Sequence, residues 1–194
     1  MPARLVGSSR VASRPHGFTL IELLVAVSVL AIVIALAVPS FTGLINGNRL
    51  ASGVNEMVAA VQTARIEAVR QGRRVAVCRS TDNATCSAGG AWQSWITIID
   101  SSGNGAFGVG DTVLRISSVE APVEVTVGNT ITDNGNSIVF RPDGLAYDVN
   151  DALLVGAVTV CIPTDQPQRN QRVLNVAAGS RVSTSQANGG GACP

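Results

Sequence analysis

"RPHGFTLIELLVAVSVLAIVIALAVPS", residues 14–40, decides how the rest of the chain is read, because this almost unbroken apolar run holds a single carboxylate, Glu22. From Phe18 to Val38 the run is long enough to span a bilayer, since about 20 helical residues rising ~1.5 Å each cover a hydrocarbon core of about 30 Å. Arg4, Arg10 and Arg14 precede it, which keeps the N-terminus cytoplasmic and sends the remainder across. A cleaved secretory signal is the rival reading, with "ALA" at 35–37 as its small-residue cleavage pattern. Length and Glu22 oppose it: a carboxylate deep in a bilayer costs about 3 kcal/mol, and a plain export signal or anchor has no reason to keep one.

The 194 residues, 46% of them hydrophobic, fit one globular domain with an attached segment and exclude a disordered chain. All fourteen basic residues are arginine and the formal net charge is +1, so there is no general electrostatic pull toward nucleic acid or an acidic surface. Cys78, Cys86, Cys161 and Cys193 form no CxxC pair, and the only histidine, His16, precedes the apolar run. A zinc site would need four thiolates at irregular spacing, whereas an even cysteine count beyond an export segment points to disulfides in an oxidising compartment. Four cysteines permit three pairings. Closeness in sequence favours Cys78 with Cys86, leaving Cys161 to hold Cys193 and the glycine-rich tail "ANGGGACP".

Beyond Pro39, residues 39–72 read as a second helical segment, entered through a loose region at Gly43 and Gly47. Val54, Met57, Val58, Val61, Ala64 and Ala68 recur at i, i+3, i+4 spacing and predict a core-facing stripe, with Glu56, Gln62, Glu67 and Arg70 toward water. Gly72 is the expected C-cap. The pattern then changes to period-two alternation, predicting strands near 74–79, 92–99, 112–117, 123–127, 137–140, 153–162 and 172–177. "RPDG" at 141–144 is a turn with Pro142 preset at its second position. The expected fold is α+β: a long N-terminal helix, transmembrane over 18–38 and amphipathic over 39–72, packed on an antiparallel β-sheet domain over 73–194.

"GFTLIELLVAVSVLAIVIALAVP" resembles the N-terminus of type IV prepilins, the class III signal shared by pilins and type II secretion pseudopilins. The resemblance implies a leader peptide over 1–17, cut by the prepilin peptidase between Gly17 and Phe18, with N-methylation of Phe18. It gives Glu22 and Pro39 assembly roles, the acid meeting a neighbouring subunit's amine and the proline kinking the helix. Phe18 and Glu22, at i and i+4, lie on one helical face near its positive end, which favours an ionised carboxylate beside an N-terminal ammonium. Farther along, "GRRVAVCRSTDNATC", "WQSWITIIDSSGNGAFGVGDTVLR", "FRPDGLA" and the C-terminal "VCIP" with its later cysteine resemble the GspH/FimT family over nearly all of the chain, the cysteine pattern lying nearer its FimT and FimU branch. The resemblance implies a non-enzymatic minor type IV pilin that helps initiate or cap assembly. Its partners would be other pilins or pseudopilins, the prepilin peptidase and an inner-membrane assembly platform worked by an ATPase. Its place would be the bacterial inner membrane, single-pass, with a periplasmic C-terminal domain able to enter a pilus or pseudopilus. A type II secretion minor pseudopilin of the H type is the alternative within the same fold.

Once Gly17 is cut away the chain holds no histidine and no lysine, which removes serine–histidine and cysteine–histidine catalysis. Asp143, Asp148 and Asp151 read as solvated turn acids, and no cofactor is expected. "DSSGNGAFGVGD" at 100–111 sets Asp100, Ser102, Asn104 and Asp111 at calcium-loop spacing, yet strands flank it and only two carboxylates are present, so a glycine-rich hairpin loop is expected. Some GspH/FimT relatives bind DNA through a Gly-Arg-x-Arg motif near the last cysteine, which makes DNA uptake an alternative of another class. Here Arg181 has Ser180 where that motif has glycine and Ser183 where it has its second arginine, with Arg169 and Arg172 as the available supplement. Loss of Arg4, Arg10 and Arg14 leaves eleven arginines against thirteen acids, so DNA binding is disfavoured.

Overall fold

The computed structural model describes residues 17–194; the leader with Arg4, Arg10, Arg14 and His16 lies outside them. The chain forms two compact units, Met1–Pro39 and Ser40–Pro194. Helix α1 is Leu20–Gln71. Among the described residues no helix is long and apolar enough to cross a membrane.

In the second unit, Leu50, Val54, Met57, Val61, Ala64 and Ala68 of α1 are buried together with Ala60. The spacing of three and four makes one stripe, and the alanines let the helix lie close against the sheets. Gly72 follows with φ +62°, the left-handed conformation that ends a helix with little strain only at glycine. The loose entry expected at Gly43 and Gly47 does not occur, because both lie inside α1. Tertiary contact overrides their low propensity: nearly buried Asn46 donates through Nδ2 to the Gln166 carbonyl at 2.8 Å.

Nine strands follow: β1 Val75–Arg79, β2 Ser94–Ile99, β3 Thr112–Ser118, β4 Glu124–Val127, β5 Ser137–Phe140, β6 Ala146–Tyr147, β7 Gly156–Cys161, β8 Gln171–Ala177 and β9 Arg181–Ala187. A short helix, α2 Asn129–Asp133, precedes β5. They make an antiparallel five-stranded sheet, β3-β2-β1-β5-β6, and a four-stranded sheet, β4-β7-β8-β9. The sequence reading omits α2, β6 and β9 and starts β7 too early, since Leu153 makes only an isolated bridge to Tyr147. "RVSTSQA" carries little apolar signal because β9 is an exposed edge strand, and β6 is too short to show alternation. The "RPDG" turn closes with the Gly144 N–H on the Arg141 carbonyl at 2.8 Å.

Strand β1 is buried on both faces. Val75 and Val77 join the core beneath α1, with Trp95, Phe140 and the second sheet, whereas Ala76 and Cys78 face the other way and pack with Ile96, Ile98, Cys86 and Phe107. The Cys78–Cys86 disulfide, Cα atoms 5.6 Å apart, thus staples the loop after β1 over the outer face of the sheet. Cys161–Cys193, Cα atoms 5.8 Å apart, ties the end of β7 to the tail. Beside it, fully buried Asn170 donates to the carbonyls of Ile162 and Ala192 at 2.9 and 3.0 Å and accepts from the Gly189 N–H at 2.8 Å. Asn170→Ala, which takes a partner from the buried Ile162 carbonyl and the half-buried Gly189 N–H while Gln171 Nε2 still donates to the Ala192 carbonyl, is expected to lower stability by about 1–2 kcal/mol in denaturant unfolding.

Glu56 corrects the expectation of a water-facing residue. Its Oε1 accepts from Arg115 Nη2 at 2.7 Å and from Ser117 Oγ at 2.7 Å, joining α1 to β3. The Ser117 hydrogen bond first, and that of Arg115 next, hold its carboxyl below the ordinary value against the opposing effect of burial. A depressed carboxylate contributes stability above its unfolded pKa of about 4.3 and loses it as pH falls through the folded value. Stability should therefore drop more steeply below that pH in the native chain than in Glu56→Gln. The difference should reach about 0.5–1 kcal/mol, because the pair is partly exposed, and urea unfolding at stepped pH measures it.

Candidate assembly site

The N-terminal segment begins with Gly17, Phe18 and Thr19 outside regular structure. Thr19 is the N-cap of α1: its Oγ1 accepts from the Glu22 N–H at 3.3 Å, and its carbonyl accepts from the Leu23 N–H at 3.1 Å. Thr19-Leu20-Ile21-Glu22 is the Thr-x-x-Glu spacing of a capping box, a signal present in the sequence that the reading of Glu22 alone misses. Glu22 occupies the first turn, where the helix dipole favours a negative charge. Around it the surface is apolar and open, with Phe18, Leu20, Ile21, Leu23 and Leu24 all exposed. Ser28, the next polar residue, turns its Oγ inward and donates to the Val25 carbonyl at 2.8 Å. Pro39 ends the first unit.

The remaining candidates sit elsewhere and do other things. In the 100–111 loop, Asp100 accepts from Ser102 Oγ and from the N–H groups of Gly103, Asn104 and Gly105 at 2.6–3.2 Å. Asp111 accepts from the N–H groups of Ser102 and Gly108 at 3.1 and 3.0 Å. Burial acts to raise the Asp111 carboxyl, but the Gly108 and Ser102 hydrogen bonds outweigh it and hold the group low. Both acids thus fold the loop's own amides around themselves. Asn104 Oδ1 is also taken, by the Ala106 N–H at 2.8 Å. The Glu124 carboxylate lies within 4.8 Å of the sulfurs of Cys161 and Cys193, but those sulfurs are bonded to each other and offer no thiolate.

The arginines considered for DNA do not converge. Arg172 pairs across the ladder with Gln186, whereas Arg181 pairs with Ala177, five residues farther along β8, which at ~3.3 Å per residue sets them about 17 Å apart. Arg172 spends its Nη1 on the carbonyls of Arg169 and Gln171. Ser180 is no open loop position: it is buried, its Oγ accepts from the Ala146 N–H at 2.6 Å, and its carbonyl accepts from Arg65 at 3.2 Å. Although its φ of +57° suits glycine, Ser180→Gly orphans the Ala146 amide. The expected outcome is a net loss of about 1–2 kcal/mol in thermal or urea unfolding, with no gain of duplex binding by fluorescence polarisation.

The family model described as "Type II transport protein GspH" matches residues 53–179, and that described as "Prokaryotic N-terminal methylation motif" matches residues 12–38. The chain is 30% identical over 119 residues to the type IV major fimbrial protein FimA of Dichelobacter nodosus, covering 60% of this chain and 74% of that one. Among solved structures, the Pseudomonas aeruginosa type IV minor pilin FimU superposes with a TM-score of 0.52 at 20% identity, over 71% of this chain and 89% of that one. The minor pseudopilin EpsH of the Vibrio cholerae type 2 secretion system superposes with a TM-score of 0.46 at 6% identity, over 69% and 95%. The FimU likeness is one of fold, a helix on antiparallel sheets. With its family match spanning well over half of its length and a methylation motif ahead of it, the chain belongs to the GspH family of type IV pilin-like proteins.

Proposed function

We propose that this chain is a minor type IV pilin, a non-enzymatic structural subunit that helps initiate or cap a pilus. The observation that carries the reading is the start of α1, where a Thr19-capped first turn presents Glu22 among exposed Phe18, Leu20, Ile21 and Leu23. The methylation motif over 12–38 and the major fimbrial relative support it. The prepilin peptidase cuts between Gly17 and Phe18 and methylates Phe18, and the apolar run Phe18–Val38 spans the inner membrane, with the second unit in the periplasm. The Ser28 hydroxyl, satisfied inside its own helix, suits a lipid surroundings that supplies no hydrogen-bond partners. In the filament Glu22 meets the amine of a neighbouring pilin, and no cofactor is needed.

Mass spectrometry of the mature chain recovered from membranes is expected to give an N-terminus at N-methylated Phe18. A terminus at Val38, released by a signal peptidase acting after "ALA", would contradict the reading and leave a secreted sheet domain.

A further inference from the structure

Two arginines face each other at the end of the β1–β5 ladder. Val75 pairs with Phe140, so Arg74, one residue before Val75, and Arg141, one residue after Phe140, stand directly opposite across antiparallel neighbours. Both project to the face opposite α1, since Val75 and Phe140 lie in the core beneath the helix. Like charges in that relation destabilise a sheet. Both backbones are fixed: the Arg74 carbonyl accepts from the Asp100 N–H at 2.9 Å, and the Arg141 carbonyl closes the "RPDG" turn.

The pair looks into a cleft of about 270 Å³ lined by Phe107, Val139 and Tyr147 together with Asn134, Ser137 and Asp148. Asp148 accepts from the Asn150 and Ala152 N–H groups of its own loop, and the Tyr147 hydroxyl donates to Asp143 at 2.7 Å. Arg141 stacks its guanidinium on the Tyr147 ring, 4.1 Å from the centroid, and Gly105 leaves room for Arg74, because a Cβ there would lie 3.1 Å from its Nη1. Into this cleft the β6–β7 loop delivers Asp151, which pairs with Arg141 and lies within electrostatic reach of Arg74. Asp151 is largely exposed and holds a left-handed backbone, φ +62°, so it is a surface loop residue reaching in.

We infer that Arg74, Arg141 and Tyr147 form a receptor for an acidic side chain of a partner polypeptide, and that Asp151 occupies it as an internal stand-in. Paired guanidiniums recognise a carboxylate through charge-assisted hydrogen bonds, and Phe107, Val139 and the Tyr147 ring offer apolar surface to the stem that carries it. An internal occupant weakens apparent affinity by the fraction of time it fills the site, so removing it exposes the receptor.

Tyr147 is the only tyrosine, so 3-fluorotyrosine labelling of the full chain in detergent gives one ¹⁹F resonance, seated in the cleft. Acetyl-Gly-Asp-Gly-amide is the probe, with acetyl-Gly-Asn-Gly-amide as the neutral control and inorganic phosphate as a competing anion. In Asp151→Ala the aspartyl peptide should shift the resonance saturably, at least about tenfold tighter than in the native chain, and the asparaginyl peptide should not. Arg74→Gln in the Asp151→Ala background should abolish the shift, with unchanged circular dichroism showing that the fold survives. Absence of a saturable shift in Asp151→Ala, equal shifts with both peptides, or tighter binding of phosphate than of the aspartyl peptide would each overturn the inference.

Discussion

Burial of the α1 stripe from Leu50 to Ala68 is the interaction on which the second unit depends. One face of a single helix supplies the floor for both sheets: Leu50, Val54, Met57, Val61, Ala64 and Ala68 join Val75, Val77, Trp95 and Phe140 of the first sheet, and Val158, Val160, Leu174 and Val176 of the second, in one continuous core. Burial of each large side chain among these stabilises by roughly 1.5–3 kcal/mol. The small residues matter as much as the large ones. A Cβ at Gly53 would lie 3.0 Å from Val160, so the second sheet approaches the helix where the chain offers least bulk.

What the stripe does not hold, covalent and polar ties do. The outer face of the first sheet is covered by the loop that Cys78–Cys86 draws over Ala76, Ile96 and Ile98, together with Phe107 of the 100–111 loop. The second sheet ends in a tail with little apolar content of its own, and Cys161–Cys193 and buried Asn170 fix it. The same loop region reaches α1 through Gln166 and Asn46. Each disulfide therefore completes a surface that the sparse aromatic content, 4%, could not cover by packing alone.

The architecture was legible because its periodicities are long or its punctuation strong: the apolar run, the stripe ending at Gly72, the alternating valines of β1 and the Pro-Gly turn. Features lacking a local signature were not legible. β9 offers only Val182 to the core, β6 is only a register contact, and helicity through Gly43 and Gly47 rests on a partner more than a hundred residues away. Glu56 looked like a solvated charge because nothing near it in sequence announces Arg115 and Ser117. At the N-terminal site the acid was conspicuous against its apolar surroundings, and the cap at Thr19 lay in plain spacing beside it. The Arg74–Arg141 opposition could not be read at all, since it exists only through the β1–β5 register.

Glu22 is proposed to serve assembly, with insertion and processing independent of it. The most direct test expresses full-length Glu22→Ala beside the native chain and compares three fractions: membranes, the processed form and sheared surface filaments. Normal insertion and leader removal are expected for Glu22→Ala, with the chain missing from the filament fraction. Recovery of Glu22→Ala in filaments at the native level would contradict it.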